Sequence, residues 1–381
     1  MRRHSQALIV GAGPVGLMAA LELHERGIRV SVIDRKEAGD ARSYAVVLHP
    51  RVLRALVERG LTQTLIWQGC ELKEVVLFTD GKPRATLHLM PASAVSVGGL
   101  SLPQNVLRSA LEGALRDRGI DVRYGHGLVS LKTSSSSVVA ELAGPDGGET
   151  VVADYVVGAD GHDSTVRKLL GIELNSKGPS ESYVFFDVPN DPFSGTQFQL
   201  VLTDTSASAI IPLHGGMMRY AFQVPSAPLT VNSVLFRELL AQRMPWRSGD
   251  LGSVEWSGSG RFHRAAVEQF GRDRVWLAGD AAHATSPLGV QSLNVGLHEA
   301  RELAATIVEC VRNTSPALLQ TRYQARRQIE WKRLLATTPG APLRSGLPDW
   351  VKRHIPRIVA SLPASGDDLD DLLDQLGVSL S

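Results

Sequence analysis

Gly11, Gly13 and Gly16, followed by Asp34, are the residues whose types and spacing speak most directly of chemistry. They fall in the stretch LIVGAGPVGLMAALELHERGIRVSVID, which ends on Asp34. Gly11 allows a sharp turn off an apolar run. Gly13 presents bare backbone to a pyrophosphate, and Gly16 lets a following helix pack closely on its strand. Pro14 and Val15 stand where that helix begins, and a helix N-terminus offers unpaired N–H groups and partial positive charge to phosphate. Asp34, with Arg35 beside it, lies about 20 residues past the glycines, where an acid bonds ribose hydroxyls. The pattern predicts a strand over 7–10, a helix, a strand over 30–33 and a bound dinucleotide. NAD, NADP and FAD all fit at this point.

Two more glycine-acid pairs close apolar runs. Asp160-Gly161 follows the apolar segment 155–157, and Gly279-Asp280 ends RVWLAGD. Asp280 can accept a bond from a polyol hydroxyl or cap the next helix, and both roles are compatible. Asp160 reads as a ligand contact or a turn acid, and Ser164 and Arg167 as helix cap and solvated cation. No nucleophilic triad and no metal constellation is spelled out; His283 reads as an acid–base group or, more simply, as a buried packing residue. The two cysteines, Cys70 and Cys310, exclude a disulfide framework and form no CxxC pair. That points to a reducing, cytoplasmic setting. A net charge of +1 gives no bulk electrostatic case for nucleic acid or an acidic membrane. No apolar stretch is long enough for stable membrane insertion, and the N-terminus lacks a cleavage pattern.

The elements that must position these residues follow from periodicity. The 381 residues, 43% hydrophobic, suffice for two interleaved domains. A helix is predicted from residue 50, a hairpin over 75–89 around Asp80-Gly81, and a helix over 104–118. Alternating segments over 122–157 suggest a β-meander. Short alternating segments over 179–262, cut by Pro and Gly, read as an antiparallel sheet. Helices are expected over 292–312 and 316–336, then a Pro/Gly-rich linker over 339–348. Short helices near 350–359 and 367–376 read as a helical cap with a solvated acidic face. The fold class is therefore α/β: a Rossmann-like dinucleotide-binding domain with a β-meander, an antiparallel-sheet substrate domain and a C-terminal helical tail. The domain boundaries expected are 1–72, 98–178 and 263–338 for the first, 73–97 and 179–262 for the second, and 339–381 for linker and tail.

With these residues in view, the chain resembles the FAD-dependent aromatic hydroxylases, single-component flavoprotein monooxygenases of the para-hydroxybenzoate hydroxylase type. Three motifs carry the resemblance: GAGPVG from Gly11 to Gly16, DGHDSTVR from Asp160 to Arg167, and GDAAH from Gly279 to His283 with Pro287 after it. It covers roughly residues 5 to 335. It implies FAD along Gly11, Gly13, Pro14, Val15, Gly16, Asp34, Arg35, Asp160, Gly279, Asp280 and Gln291, with softer matches at Arg42, Gln104 and Arg108. It implies NADPH or NADH as reductant, O2 as co-substrate and a flavin C4a-hydroperoxide that hydroxylates or epoxidises its substrate. The segment PLGVQSLNVG, through Pro287, Gly289, Leu293 and Asn294, would steady the charge of reduced flavin from a helix N-terminus. Val290 and Ser292 replace two glycines usual in that segment, which implies crowding near the flavin and slower reduction. Gln197, Gln199, Ile211, His214, Met218, Tyr220 and Phe222 are candidate walls for an apolar, aromatic substrate of secondary metabolism; alternation puts Met218, Tyr220 and Phe222 on one face, which reads as core or as pocket. The expected state is monomer or homodimer. The rival readings are a flavin-dependent reductase, a halogenase, and a non-catalytic metabolite-binding protein. None of the six tryptophans sits in the halogenase W-x-W-x-I-P context.

Overall fold

A computed structural model describes residues 3–37, 45–91, 97–189, 191, 195–247, 251–312, 316–335 and 346–379. Arg42 lies outside the described residues. The opening segment forms the strand Arg3–Val10, the helix Pro14–Glu25 and the strand Val30–Ile33. The helix buries Leu17, Met18, Leu21 and Leu23, so its apolar residues go into the core on nearly every side. Arg3–Val10 lies between Val30–Ile33 and the long strand Gly147–Gly158, parallel to both. Gly147–Gly158 serves two purposes. Its first half pairs antiparallel with Val138–Gly144 in the meander, and its second half runs parallel to the opening strand and to Val275–Leu277. Eight strands share this sheet among the described residues.

A second sheet has seven strands, in the order Trp256–Phe262, Glu181–Val188, Met218–Val224, Ala207–Pro212, Gln197–Leu202, Glu74–Thr79 and Lys82–His88. The hairpin around Asp80-Gly81 joins it as its edge. The sheet is not purely antiparallel, because Gln197–Leu202 runs parallel to Glu74–Thr79. A segment with no expected helix forms one, Ser233–Arg243, started by Asn232, whose Oδ1 accepts from the Val234 and Leu235 N–H groups. Its Phe236, Leu239 and Leu240 cover one face of the sheet, over Phe186, Tyr220 and Phe222. The opposite face, with Phe185, Ile211 and Ala221, joins the main core.

The helices Asp349–Ser361 and Asp367–Gln375 form a cap that is part of the core. Ile355, Ile358, Leu362, Leu369, Leu372 and Leu373 are buried in the main cluster. Asp368 is buried too, accepting from the Arg51 N–H at 2.8 Å and from Arg54 at 3.2 Å, while Asp367, Asp371 and Asp374 stay in solvent as the sequence suggested.

The long helix Gln291–Arg312 packs on the opening helix and on Pro316–Leu334. Glu302 ties it to the latter through Arg327 and Arg326, and also faces His298 at 3.4 Å. Burial works against its charge, but the His298 hydrogen bond and the two arginines outweigh burial and hold its carboxyl down from an ordinary 4.5 to about 2. A depressed acid stabilises the fold fully above its unfolded value and loses that contribution as pH falls through the folded one. Glu302→Gln should therefore lower stability near pH 7 by on the order of 1 kcal/mol, discounted for partial exposure. Urea unfolding should show the difference from the parent vanishing between 4.5 and about 2. A difference that persists at the acid end would contradict the ion-pair origin.

Candidate active site

The carboxyl ends of the parallel strands open onto one cavity of about 660 Å³. Gly11, Gly13, Pro14, Val15, Asp34 and Arg35 line it from the opening unit, with Gln104 and Asp160 beside them. Ala278 and Asp280 follow, then Pro287, Leu288, Val290, Ser292 and Leu293. The seven-stranded sheet closes it with Phe185, Ile211, Arg219, Ala221 and Phe262.

The glycines divide by task. A Cβ on Gly16 would stand 2.0 Å from the Gly11 carbonyl oxygen, so Gly16 serves packing of helix on strand. A Cβ on Gly13 would meet nothing within 4 Å and would project into open cavity. Gly13 is also the N-cap of the helix and supplies no capping side chain, so the first-turn N–H groups stay free for an anion. Asp34 accepts from the Ala12 N–H at 2.8 Å and the Lys36 N–H at 2.9 Å, which fixes the glycine loop and leaves lone pairs for a ligand.

The second motif is partly scaffolding. The Asp160 carboxylate accepts from the Ser164 hydroxyl and from the Thr165 and Val166 N–H groups at 2.6 and 3.1 Å. The Ser164 Oγ accepts in turn from the Arg167 N–H. Arg167 is buried and donates to the Ala281 carbonyl at 2.8 Å and the His162 carbonyl at 2.7 Å, joining the second motif to the third. In the third motif, Asp280 is open to the cavity but ringed by protein. Burial pushes its carboxyl up, opposed by His283, His162 and a Ser292 hydrogen bond. Glu299, outside all three motifs, is fully buried and accepts from the Gly279 N–H and the His283 Nε2, both at 2.9 Å. His283 stacks on Trp331 and faces no ligand space, as a packing residue should.

Residues 4–337 match the family described as FAD binding domain. The chain belongs to the FAD-dependent aromatic hydroxylase family. The aromatic compound monooxygenase YhjG of Bacillus subtilis is 31% identical over 340 residues, 87% of this chain and 67% of that protein. The 6-methylpretetramide 4-monooxygenase of Streptomyces rimosus is 30% identical over 87% of this chain and 61% of its own length. The chain thus spans roughly two thirds of the curated relatives it matches. The crystal structure of p-nitrophenol 4-monooxygenase PnpA from Pseudomonas putida shares the fold over 99% of both chains, with a TM-score of 0.75 at 22% identity. Two structural neighbours are complexes with FAD.

The flavoprotein's cavity fits FAD: bare backbone at Gly13 with free helix N–H groups, an acid at Asp34, and a long apolar-walled continuation past Asp280. Several motif side chains turn away from the cavity. Arg108 donates to Glu112 and to the Tyr124 hydroxyl, and does not line the cavity. Gln291 donates to the Val359 and Ala364 carbonyls of the C-terminal segment. Asn294 accepts from the His49 N–H and donates to the Val47 and Val290 carbonyls, behind the loop. Gly289 and Gly279 do not line the cavity, although their neighbours Leu288, Val290, Ala278 and Asp280 do. Of the substrate candidates, Ile211 lines the cavity, whereas Gln199, Met218, Tyr220 and Phe222 lie on the other face of the sheet. Ile210 is paired with both Gln199 and Tyr220, and Met218, Tyr220 and Phe222 are buried under the helix Ser233–Arg243. Their neighbours Arg219 and Ala221 line the cavity instead. The alternation is real, but the unforeseen helix decides which side is core.

The two glycines give a paired prediction. Gly13→Val should leave the fold intact and weaken FAD binding at least tenfold, seen by thermal melting and flavin-fluorescence titration. Gly16→Ala should instead lower the melting temperature. A Gly13→Val protein that binds FAD as tightly as the parent would remove the phosphate from this loop.

Proposed function

We propose that this chain inserts one oxygen atom of O2 into an apolar aromatic substrate, with the second leaving as water and NAD(P)H supplying the electrons. The observation that carries the reading is continuity: one cavity joins the glycine loop to an apolar sheet face. When bound, FAD supplies the electron transfer and oxygen activation. The protein's task is to hold the cofactor, exclude water and orient the substrate.

Arg219 shapes the substrate side. It is nearly buried, and two of its N–H groups bond Asp187, both at 2.7 Å, while Trp256 stacks 4.8 Å from its guanidinium. Arginine has five donors, so N–H groups remain for a ligand. Asp187 neutralises the charge, which favours a carbonyl or phenolic oxygen over a carboxylate. Phe185, Ile211 and Phe262 supply apolar wall for a ring system. A polycyclic aromatic of secondary metabolism bearing such an oxygen fits this arrangement.

The loop after Pro287 sets the reduction rate. Val290 has φ of 48°, a left-handed conformation that a β-branched residue almost never adopts, and Ser292 spends its N–H on the Thr285 hydroxyl at 3.2 Å. Both side chains line the cavity where glycines would leave room. Oxygen uptake with NADPH and a panel of phenols and polycyclic ketones tests the function. Products heavier by one oxygen are expected, whereas a gain of two hydrogens or of halogen would reject hydroxylation. In stopped-flow mixing with NADPH, the Val290→Gly, Ser292→Gly variant should reduce its flavin about tenfold faster, a lowering of the barrier by roughly 1.4 kcal/mol. Equal rates would show that these side chains do not govern reduction.

A further inference from the structure

His49 occupies the N-cap position of the helix Pro50–Val57, yet its side chain does not cap that helix. Short oxygen-bearing residues are usual there. The ring is instead fully buried between two distant segments: Nε2 lies 2.9 Å from the Gly289 carbonyl oxygen and Nδ1 lies 3.1 Å from the Ser365 hydroxyl. Burial holds the imidazole down to about 3, against a smaller opposing effect of the Gly289 bond, so it is neutral in any working buffer. A carbonyl only accepts. Nε2 therefore carries the hydrogen and donates to Gly289, and Nδ1 accepts from Ser365.

The consequence lies in the next peptide group. A trans peptide is planar, with its C=O and N–H pointing in opposite directions, and no cis bond occurs among the described residues. Val290 lines the cavity and His49 does not. A Gly289 carbonyl drawn back to His49 therefore turns the Val290 N–H forward, to the cavity side. No acceptor for that N–H occurs among the hydrogen bonds of the described residues. The left-handed φ of Val290 is the backbone cost of the orientation. The anchoring is reciprocal, since the Asn294 side chain grips the backbone of Val47 and His49 from the helix Gln291–Arg312.

We propose that His49 is a positioning residue: it latches the Gly289–Val290 peptide so that the Val290 N–H donates to the negative charge the flavin gains on reduction. The Gly289 carbonyl sets the ring's tautomer, and the Ser365 hydroxyl, donating to Nδ1, holds the ring from the C-terminal segment, which makes that segment part of the flavin site. The proposal rests on FAD lying against this loop, as the cavity reading requires. A preoriented donor of this kind acts on the reduced state more than on the oxidised one.

Three proteins test it: the parent, His49→Phe, which keeps a ring but no donor, and His49→Gln, whose amide can still donate to Gly289. Two readouts apply, the flavin midpoint potential and hydrogen exchange at the Val290 amide with and without FAD. His49→Phe should favour oxidised over reduced flavin about tenfold more than the parent, a potential lower by about 30 mV for two electrons. His49→Gln should recover most of the shift. FAD should protect the Val290 amide in the parent and in His49→Gln, and much less in His49→Phe. A folded, yellow His49→Phe protein with the parent's potential would overturn the latch and leave the cavity reading standing. Should His49→Phe not fold, the parent alone decides: a Val290 amide whose exchange FAD does not slow rejects the proposal. A parent that stays colourless with excess FAD rejects the cavity reading itself.

Discussion

The chain's chemistry depends on how closely the ends of parallel strands approach one another. At Gly11 a Cβ would stand 2.3 Å from the Ala159 carbonyl oxygen, and at Gly16 it would stand 2.0 Å from that of Gly11. No side chain fits either space. The loops after Arg3–Val10 and Gly147–Gly158 are consequently pressed together, and the Ala278 N–H bonds the Gly158 carbonyl to bring in a third. Arg167 and Glu299 then fasten the loops from behind, through Ala281, His162 and Gly279. One extended cofactor can touch three remote motifs only because these unliganded contacts hold them at one place.

Much of this was legible, because it depends on local rules. A strand, a glycine turn, a helix and an acid in register predict their own geometry, and Gly11, Gly13, Asp34, Asp160 and Asp280 reach one cavity as expected. What failed depends on partners far along the chain. Tyr220 and Arg219 differ by one position in an alternating strand, and alternation alone cannot say which face a helix will cover. The deciding signal was Asn232 ahead of an apolar repeat, a helix start concealed among Pro and Ser turns. Arg108, Gln291 and Asn294 stand in motif positions, but their bonding partners are Glu112, Val359 and Val47, which no motif spacing names.

The misplaced residues share a lesson about motifs in flavin sites. A polar side chain in such a motif need not meet the ligand to be required there. Asp160 and Asn294 spend much of their bonding capacity on backbone groups of the loops themselves. Backbone N–H and C=O groups that face a cavity must be held against the pull of alternative partners. Side chains that satisfy the rear of a loop leave its front free for the cofactor. The same division explains why the C-terminal helices matter despite lying outside the family match. Gln291 bonds Val359 and Ala364 of that segment, and His49 takes its second partner, Ser365, from it.

Val290 shows how the balance is struck. Left-handed backbone at a residue with a Cβ costs roughly 1–2 kcal/mol, and more with branching. Against this stand the Asn294 bond to the Val290 carbonyl at 2.9 Å and the His49 bond to Gly289 at 2.9 Å. Each contributes about 1 kcal/mol net, and leaving either buried partner unpaired costs more. The sums are comparable, so the loop holds its shape only while both bonds are made. Glycine at residue 290 would adopt the same φ without strain and without depending on His49 or Asn294. A valine there couples the conformation of the flavin loop to the helix Pro50–Val57 and the C-terminal segment, and this coupling follows from the backbone alone, whatever substrate occupies the cavity.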